Sequence, residues 1–425
     1  MIQWHWYHVI SEHAERASIS SENTALNSSG YLRRAFPFLL LAAYGVFLCS
    51  YFIFDDYSKP YQFYARVVFI LSLFIVVGSI REIWKHPVFQ AIVAYIVYLL
   101  LAGLWSDPLD AYRLGQKATI AAHIISFLAV THFLVHWNHC LFERMLKAAT
   151  LFAAVTAVVS ILIFYSHNPF PATRLIAIGA LTNINEFANV YGAFALLAAF
   201  FITQAPQRTS KLLFLMAIAA FICVMWFGQS RTAFVALLIA LLGLIGLTSK
   251  KQSMLYAASF ALLLGLLLLT FPEVLEGALQ RGLGLRPLIW EGVWNEARST
   301  PFFGQGFISP MSVEAAGIAY ETAHNAYLQV FWKGGSVGVI MFLLLFAVAF
   351  RYAWSRGKQQ GDFSVFCILL FAACTMMTGV DTLIERPRDQ WMLFWFPLAL
   401  LISYQSGPSS SRFHTQPPTS AQTSA

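Results

Sequence analysis

Apolar stretches of roughly 17 to 25 residues recur along almost the whole chain, which is the length a helix needs to cross the hydrocarbon core of a bilayer. Composition agrees: of 425 residues, 58% are hydrophobic and only 11% charged, against about a quarter charged in an ordinary soluble domain. An all-α polytopic membrane protein is expected. About twelve spans are predicted, near 36–55, 62–80, 88–105, 118–136, 148–165, 187–203, 212–228, 232–248, 254–271, 326–350, 363–379 and 391–405.

The net charge of +7 raises the thought of nucleic acid, but the placement of the charges argues against it. Arg33 and Arg34, Arg81 and Lys85, Arg144 and Lys147, Arg208 and Lys211, Lys250 and Lys251, then Arg351, Arg356 and Lys358 fall in every second connection. That alternation is the positive-inside pattern. It predicts cytoplasmic termini, membrane lipids as surroundings and no nucleic-acid partner. Residues 1–35 then form a cytoplasmic N-terminal segment without a cleavable signal, 36–405 the transmembrane domain, and 406–425 a disordered tail rich in Ser, Thr, Gln and Pro. The five cysteines lie in spans or on the basic side, so they read as core residues and offer no disulfide framework.

One outward connection, 272–325, is far longer than the rest, and loops of that length in a compact domain are usually functional. Within it, LRPLIWEGVWNEA sets Leu288, Ile289, Trp290, Val293 and Trp294 at helical spacing. This predicts an amphipathic helix lying at the membrane surface, packed on the neighbouring spans, or both.

Four outward features carry candidate chemistry. In GQSRTAF (228–234) Arg231 stands where two spans meet almost without a loop; it either snorkels to the interface or waits, buried, for an anion. Arg286 precedes Pro287, and proline favours the first turn of a helix. Arg286 is thus expected at the cap, where free amides and a guanidinium fork both suit phosphate. Arg281 is a second candidate nearby, and a solvated loop arginine is the plain alternative for each. His324 and Asn325 open the tenth span, where the positive end of the helix dipole disfavours imidazolium. A neutral imidazole there can serve as general base, although a lone interfacial histidine is more often a bystander. Finally, PATRLIAIGALTNINEFANVYG (171–192) gathers Arg174, Asn183, Asn185 and Glu186, suited to sugar hydroxyls or a phosphate, or to capping the sixth span. Acidic pairs on this face are few. Asp107 with Asp110 and Asp381 with Glu385 are the close ones outside the long loop, and the latter are expected to form salt bridges with Arg386 and Arg388. Arginine is therefore the expected counter-charge, with no metal and no cofactor.

SRTAF at a tight outward turn, RPLIW and TPFFGQGF in the long loop, and AHNAYLQVFWKGGSVGVIMF entering the next span together resemble the O-antigen ligase/polymerase membrane family, most specifically over 228–345. The resemblance implies a glycosyltransferase fold of the C type with one large periplasmic loop, in the inner membrane of a Gram-negative bacterium. It implies transfer of a glycan from undecaprenyl pyrophosphate to a sugar hydroxyl of lipid A–core oligosaccharide, with inversion and without metal. Carried onto this chain, the family's roles fall to Arg231 and Arg286 at the pyrophosphate and His324 at the acceptor hydroxyl. Arg174, Arg281, Asn325, Trp290, Tyr327 and Asn185 are expected to contact substrate. Both Arg281 and Arg286 match the family's loop arginine; the proline and tryptophan that follow favour Arg286. An O-antigen polymerase would use the same machinery, and a secondary transporter is the alternative of another class. The transporter would call for paired repeats, which the long loop between spans nine and ten interrupts.

Overall fold

The computed structural model describes residues 35–404, apart from residues 172, 181, 248, 249, 281, 283 and 381. The expectations for 1–34 and 406–425 therefore lie outside the described residues. Seven helices are long and apolar enough to cross a membrane. They are α1 (Ala35–Ile53), α4 (Pro87–Trp105), α5 (Ala111–Trp137), α6 (His139–Tyr165), α7 (Ile184–Gln204), α8 (Arg208–Gly228) and α13 (Ala326–Gln360). The pair α2 (Ser58–Ser72) and α3 (Val76–Ile83) passes the same test jointly but is bent by 81°. Where the remaining spans were expected, the apolar helices are shorter: α9 (Arg231–Leu247), residues Phe260–Thr270 of α10 (Lys250–Thr270), α14 (Ser364–Thr375) and α15 (Trp391–Ser403). Among the described residues, seven helices, or eight if the bent pair is one span, thus have the length to cross, short of the expected count of about twelve.

Local chemistry explains where the helices begin and end. Asp110 accepts the amides of Tyr112 and Arg113 at 2.9 and 3.0 Å and starts α5. Asn138, extended between α5 and α6, ends one helix and accepts the Leu141 amide to start the next. Asn183 caps α7 and Asn325 caps α13 in the same way. A short polar side chain satisfies the amides that a first turn leaves unpaired.

α7 is the central helix. In its most apolar stretch 89% of residues are buried, against 33% in α13, and α6, α8, α9 and α14 pack around it. Its small residues permit that: a Cβ on Gly192 would meet the Phe371 ring at 2.3 Å.

The long loop holds two further helices, α11 (Pro272–Gln280) and α12 (Arg286–Ala297), and a hairpin of β1 (Val313–Ala315) and β2 (Ile318–Tyr320), with Val313 opposite Tyr320. Ile289, Val293 and Ala297, spaced by four, form the buried stripe of α12. They share a small second core with Val313 of the hairpin, Trp332 of α13, and Met311 and Ala323 of the connecting segments. Leu288 and Trp294, expected on the same apolar side, are half exposed. The stripe follows the i, i+4 row because the helix packs on α13 and β1.

α13 is broken at Gly335, whose φ of 61° and ψ of −163° suit glycine alone. The segment 301–306 is spliced into the break. Gln305 and Gly306 donate their amides to the carbonyls of Trp332 and Lys333, and Ser336 and Val337 donate theirs to Pro301 and Phe302. The four groups that the helix leaves unpaired are paired by the loop, as backbone in a membrane protein requires. A Cβ on Gly335 would stand 2.3 Å from the Phe302 carbonyl, and one on Gly304 would stand 2.6 Å from the Gly334 amide. The two glycine-bearing motifs, TPFFGQGF and WKGGSVG, are thus the two halves of one joint.

Candidate functional site

Three arginines far apart in sequence reach one cavity of about 420 Å3, lined by Arg174, Arg231 and Arg286 together with Asn185, Gln229, Thr232, Gly284 and Leu285. No carboxylate is among these lining residues. Several guanidinium groups facing one space suit an anion with several oxygens, which can accept their hydrogen bonds.

Each arginine is placed by backbone. The segment bearing Arg174 is held on both sides, by the Tyr165 hydroxyl donating to the Thr173 carbonyl at 2.8 Å and by the Leu175 amide donating to the Phe227 carbonyl at 3.0 Å. Arg231 begins α9 two residues after Gln229, which closes α8 in a left-handed conformation with φ 55°. Its guanidinium donates to the Gly282 carbonyl, bringing the α11–α12 connection to the cavity. Arg286 is the first residue of α12, with Leu285 at the cap position and Pro287 in the first turn. The expected cap assignment is therefore off by one residue, because Leu285 already has helical backbone angles.

On the far side of Arg231 lies an apolar groove of about 210 Å3, walled by Met225, Trp226, Phe234, Val235, Val274, Leu275 and Leu279. Gln229 and Arg231 line both spaces. A charged pocket and a hydrocarbon groove thus share one wall, the arrangement that suits an amphiphile with an anionic head.

The other expected site residues stand outside this lining. His324 lies immediately before the Asn325 cap, in a left-handed conformation with φ 46°. Its ring meets Tyr320 edge-on at 6.2 Å, and its Nδ1 is 3.5 Å from the Thr322 hydroxyl. Trp290 does not face the cavity; its indole N–H donates to the Ala323 carbonyl at 3.1 Å. Trp290 lies one turn along α12 from Arg286, so this bond holds His324 at the same end of the bundle as the arginines. Asn325 uses its Oδ1 to accept the amides of Tyr327 and Leu328 at 3.0 and 3.2 Å. Tyr327 points into the bundle, donating to the Ala373 carbonyl at 3.0 Å and packing on Phe342. Arg281 lies outside the described residues.

Around the cavity runs a polar network that the sequence only half reveals. Ser230 donates to Asn185 at 3.0 Å, and Thr378 to Thr232 at 2.6 Å. Glu186, expected to face sugar or phosphate, is buried and bridged to Arg388. Glu385 pairs instead with Lys117. The bridge expected of Glu385 within the last loop is thus replaced by one to α5, and Arg388 bridges to α7; Asp381 lies outside the described residues. Burial pushes the Glu385 carboxyl up, but Lys117 and the Arg386 amide more than offset this and hold it below its ordinary value. Gln229 and Thr232 were missed as cavity residues; their one signal is adjacency to Arg231. Asn189 and Asp389, joined at 2.7 Å, were missed too, although a polar residue inside an apolar span is itself a signal.

The O-Antigen ligase family model matches residues 214–343, a segment that contains Arg231, Arg286 and His324. An O-antigen ligase of Pseudomonas aeruginosa is 29% identical over 357 residues, covering 82% of this chain and 85% of that protein. Both matches are thus to O-antigen ligases, the family model over residues 214–343 and the relative over most of the chain.

Proposed function

We propose that the protein is an O-antigen ligase. It transfers a glycan from undecaprenyl pyrophosphate to a sugar hydroxyl of lipid A–core oligosaccharide, at the periplasmic face of the inner membrane of a Gram-negative bacterium. Residues 36–405 act as one membrane-embedded unit, with 272–325 on the periplasmic side. The observation that carries this reading is the cation-lined cavity sharing a wall with an apolar groove. A pyrophosphate on a polyprenyl chain has the two parts such a pair of spaces accepts.

Arg231 and Arg286 grip the pyrophosphate, and Arg174 adds a third positive charge. As the acceptor oxygen attacks the anomeric carbon, the bond from that carbon to the pyrophosphate oxygen breaks and negative charge grows on the leaving group. Preorganised guanidinium groups stabilise that charge, an effect typically worth 10²–10³-fold per donor in related electrostatic sites. His324 takes the proton of the acceptor hydroxyl, a step worth roughly 10²–10⁴-fold. Attack opposite to the leaving group inverts the anomeric centre. The arginines supply the counter-charge, so transfer proceeds without a metal.

A deletion strain tests the reaction. Free lipid A–core together with accumulated long lipid-linked polymer is the expected result. Core capped by a single repeat would mark a polymerase instead. Complementation with His324→Ala should leave the core uncapped although the protein inserts normally. Transfer by the purified protein should persist in EDTA; loss restored by Mg²⁺ would overturn the metal-free mechanism.

A further inference from the structure

No described residue of the last inter-helix loop, 380–390, lines the cavity, yet the loop grips the helix that does. Arg388 meets Glu186 through both edges of its fork, Nη2 to Oε1 at 2.6 Å and Nε to Oε2 at 3.4 Å, and its guanidinium lies 4.8 Å over the Tyr57 ring. One residue on, Asp389 accepts from Asn189 at 2.7 Å. Glu186 and Asn189 occupy the first two turns of α7, and between Asn183 and Glu186 sits Asn185, which lines the cavity. Asn185 in turn accepts from Ser230, the residue between Gln229 and Arg231. A continuous path therefore runs from the loop, through the start of α7, to the turn that carries Arg231.

The Glu186 side chain is only 8% exposed, whereas that of Arg388 is 42% exposed. A carboxylate so enclosed requires its counter-charge, and losing one partner leaves the other stranded. The pair holds with an angular precision that apolar packing lacks, because the fork fixes both distance and plane.

We propose that Glu186 and Arg388 are a positioning pair for the anion cavity, holding α7 so that Asn185 and Ser230 set Arg231 against Arg174 and Arg286. The pair acts through Asn185 and touches no substrate. This rests on the reading of the cavity as a pyrophosphate site, and the test separates the two. In full-length protein, Glu186→Gln preserves side-chain volume and removes the charge, while Arg388→Gln removes the fork. Each should weaken binding of inorganic pyrophosphate and raise the KM for the undecaprenyl-pyrophosphate donor by about tenfold, within the range of coupling in connected networks. The KM for lipid A–core acceptor should stay unchanged, and Glu186→Asp, which keeps the charge, should recover most of the donor KM.

A purely structural brace would lower the melting temperature and the active fraction with both KM values unmoved, and that result overturns the proposal. So would an equal rise in both KM values. Wild-type behaviour of Glu186→Gln and Arg388→Gln sinks the positioning role alone. Failure of the unsubstituted protein to bind pyrophosphate sinks the cavity reading and the positioning role with it.

Discussion

At the scale of residues, the site is defined by what each side chain already spends. Arg231 donates one N–H to Gly282 and faces the cavity with the rest of its planar fork. Arg231→Lys keeps the charge and loses that geometry, so activity should fall by about 10²-fold, the scale of one lost electrostatic donor. Near-normal transfer by that variant would reduce Arg231 to an interfacial anchor. Asn325 is different, because its Oδ1 is already used at the helix start. Asn325→Ala should cost about 0.5–2 kcal/mol of stability, the usual worth of an N-cap, whereas Asn325→Ser restores the cap. Thermal unfolding and turnover measured side by side decide the matter. If the serine variant is stable yet as inactive as alanine, Asn325 contacts substrate after all.

At the scale of elements, the joint between the long loop and α13 is the structural event of most consequence for His324. The splice at 301–306 fixes the first turns of α13, and His324 stands at the start of those turns. Gly335→Ala places a methyl within 2.3 Å of the Phe302 backbone at a φ/ψ that non-glycine residues avoid at a cost of order 1–3 kcal/mol. We expect a lower melting temperature for Gly335→Ala and for Gly304→Ala, with ligand contacts untouched. Unchanged unfolding in both would mean that the break in α13 tolerates a Cβ and that the splice is loose. Lys117–Glu385 makes a smaller link of the same kind between the last loop and α5. Because the Glu385 carboxyl is held below its ordinary value, its contribution is present at neutral pH and is lost as pH falls through the acidic carboxylate range.

At the scale of the whole molecule, the arrangement requires that the arginines and the long loop share one side of the membrane. Cys140 is exposed in the first turn of α6, at the end of α5 remote from Asp107. Asp107 donates its amide to Ser309 of the long loop at 3.0 Å, so α5 separates the two by about 40 Å for 27 residues. Ser299, exposed just after α12, can therefore be replaced by cysteine as a probe of the opposite face. A membrane-impermeant maleimide applied to cells with a permeabilised outer membrane should label Ser299→Cys and spare Cys140. Labelling of Cys140 alone would reverse the orientation inferred from the basic loops.

Much of the protein is legible from local chemistry. The length of the apolar runs decides the solvent, and capping by Asp110, Asn138, Asn183 and Asn325 decides helix starts, because both act within a few residues of where they are written. Arg231 could be singled out because a cation beside an apolar boundary is costly wherever the chain goes. The short apolar helices α9, α14 and α15 escaped the same logic, since hydropathy does not say where neighbours end a helix. Packing across 50 to 200 residues of chain decided the rest: which arginines share a cavity, that Gln229 and Thr232 line it, that an apolar groove adjoins it, and that Arg388 answers to Glu186. An ion pair or a cavity is set by distances in space, and a single sequence records only the distances along the chain.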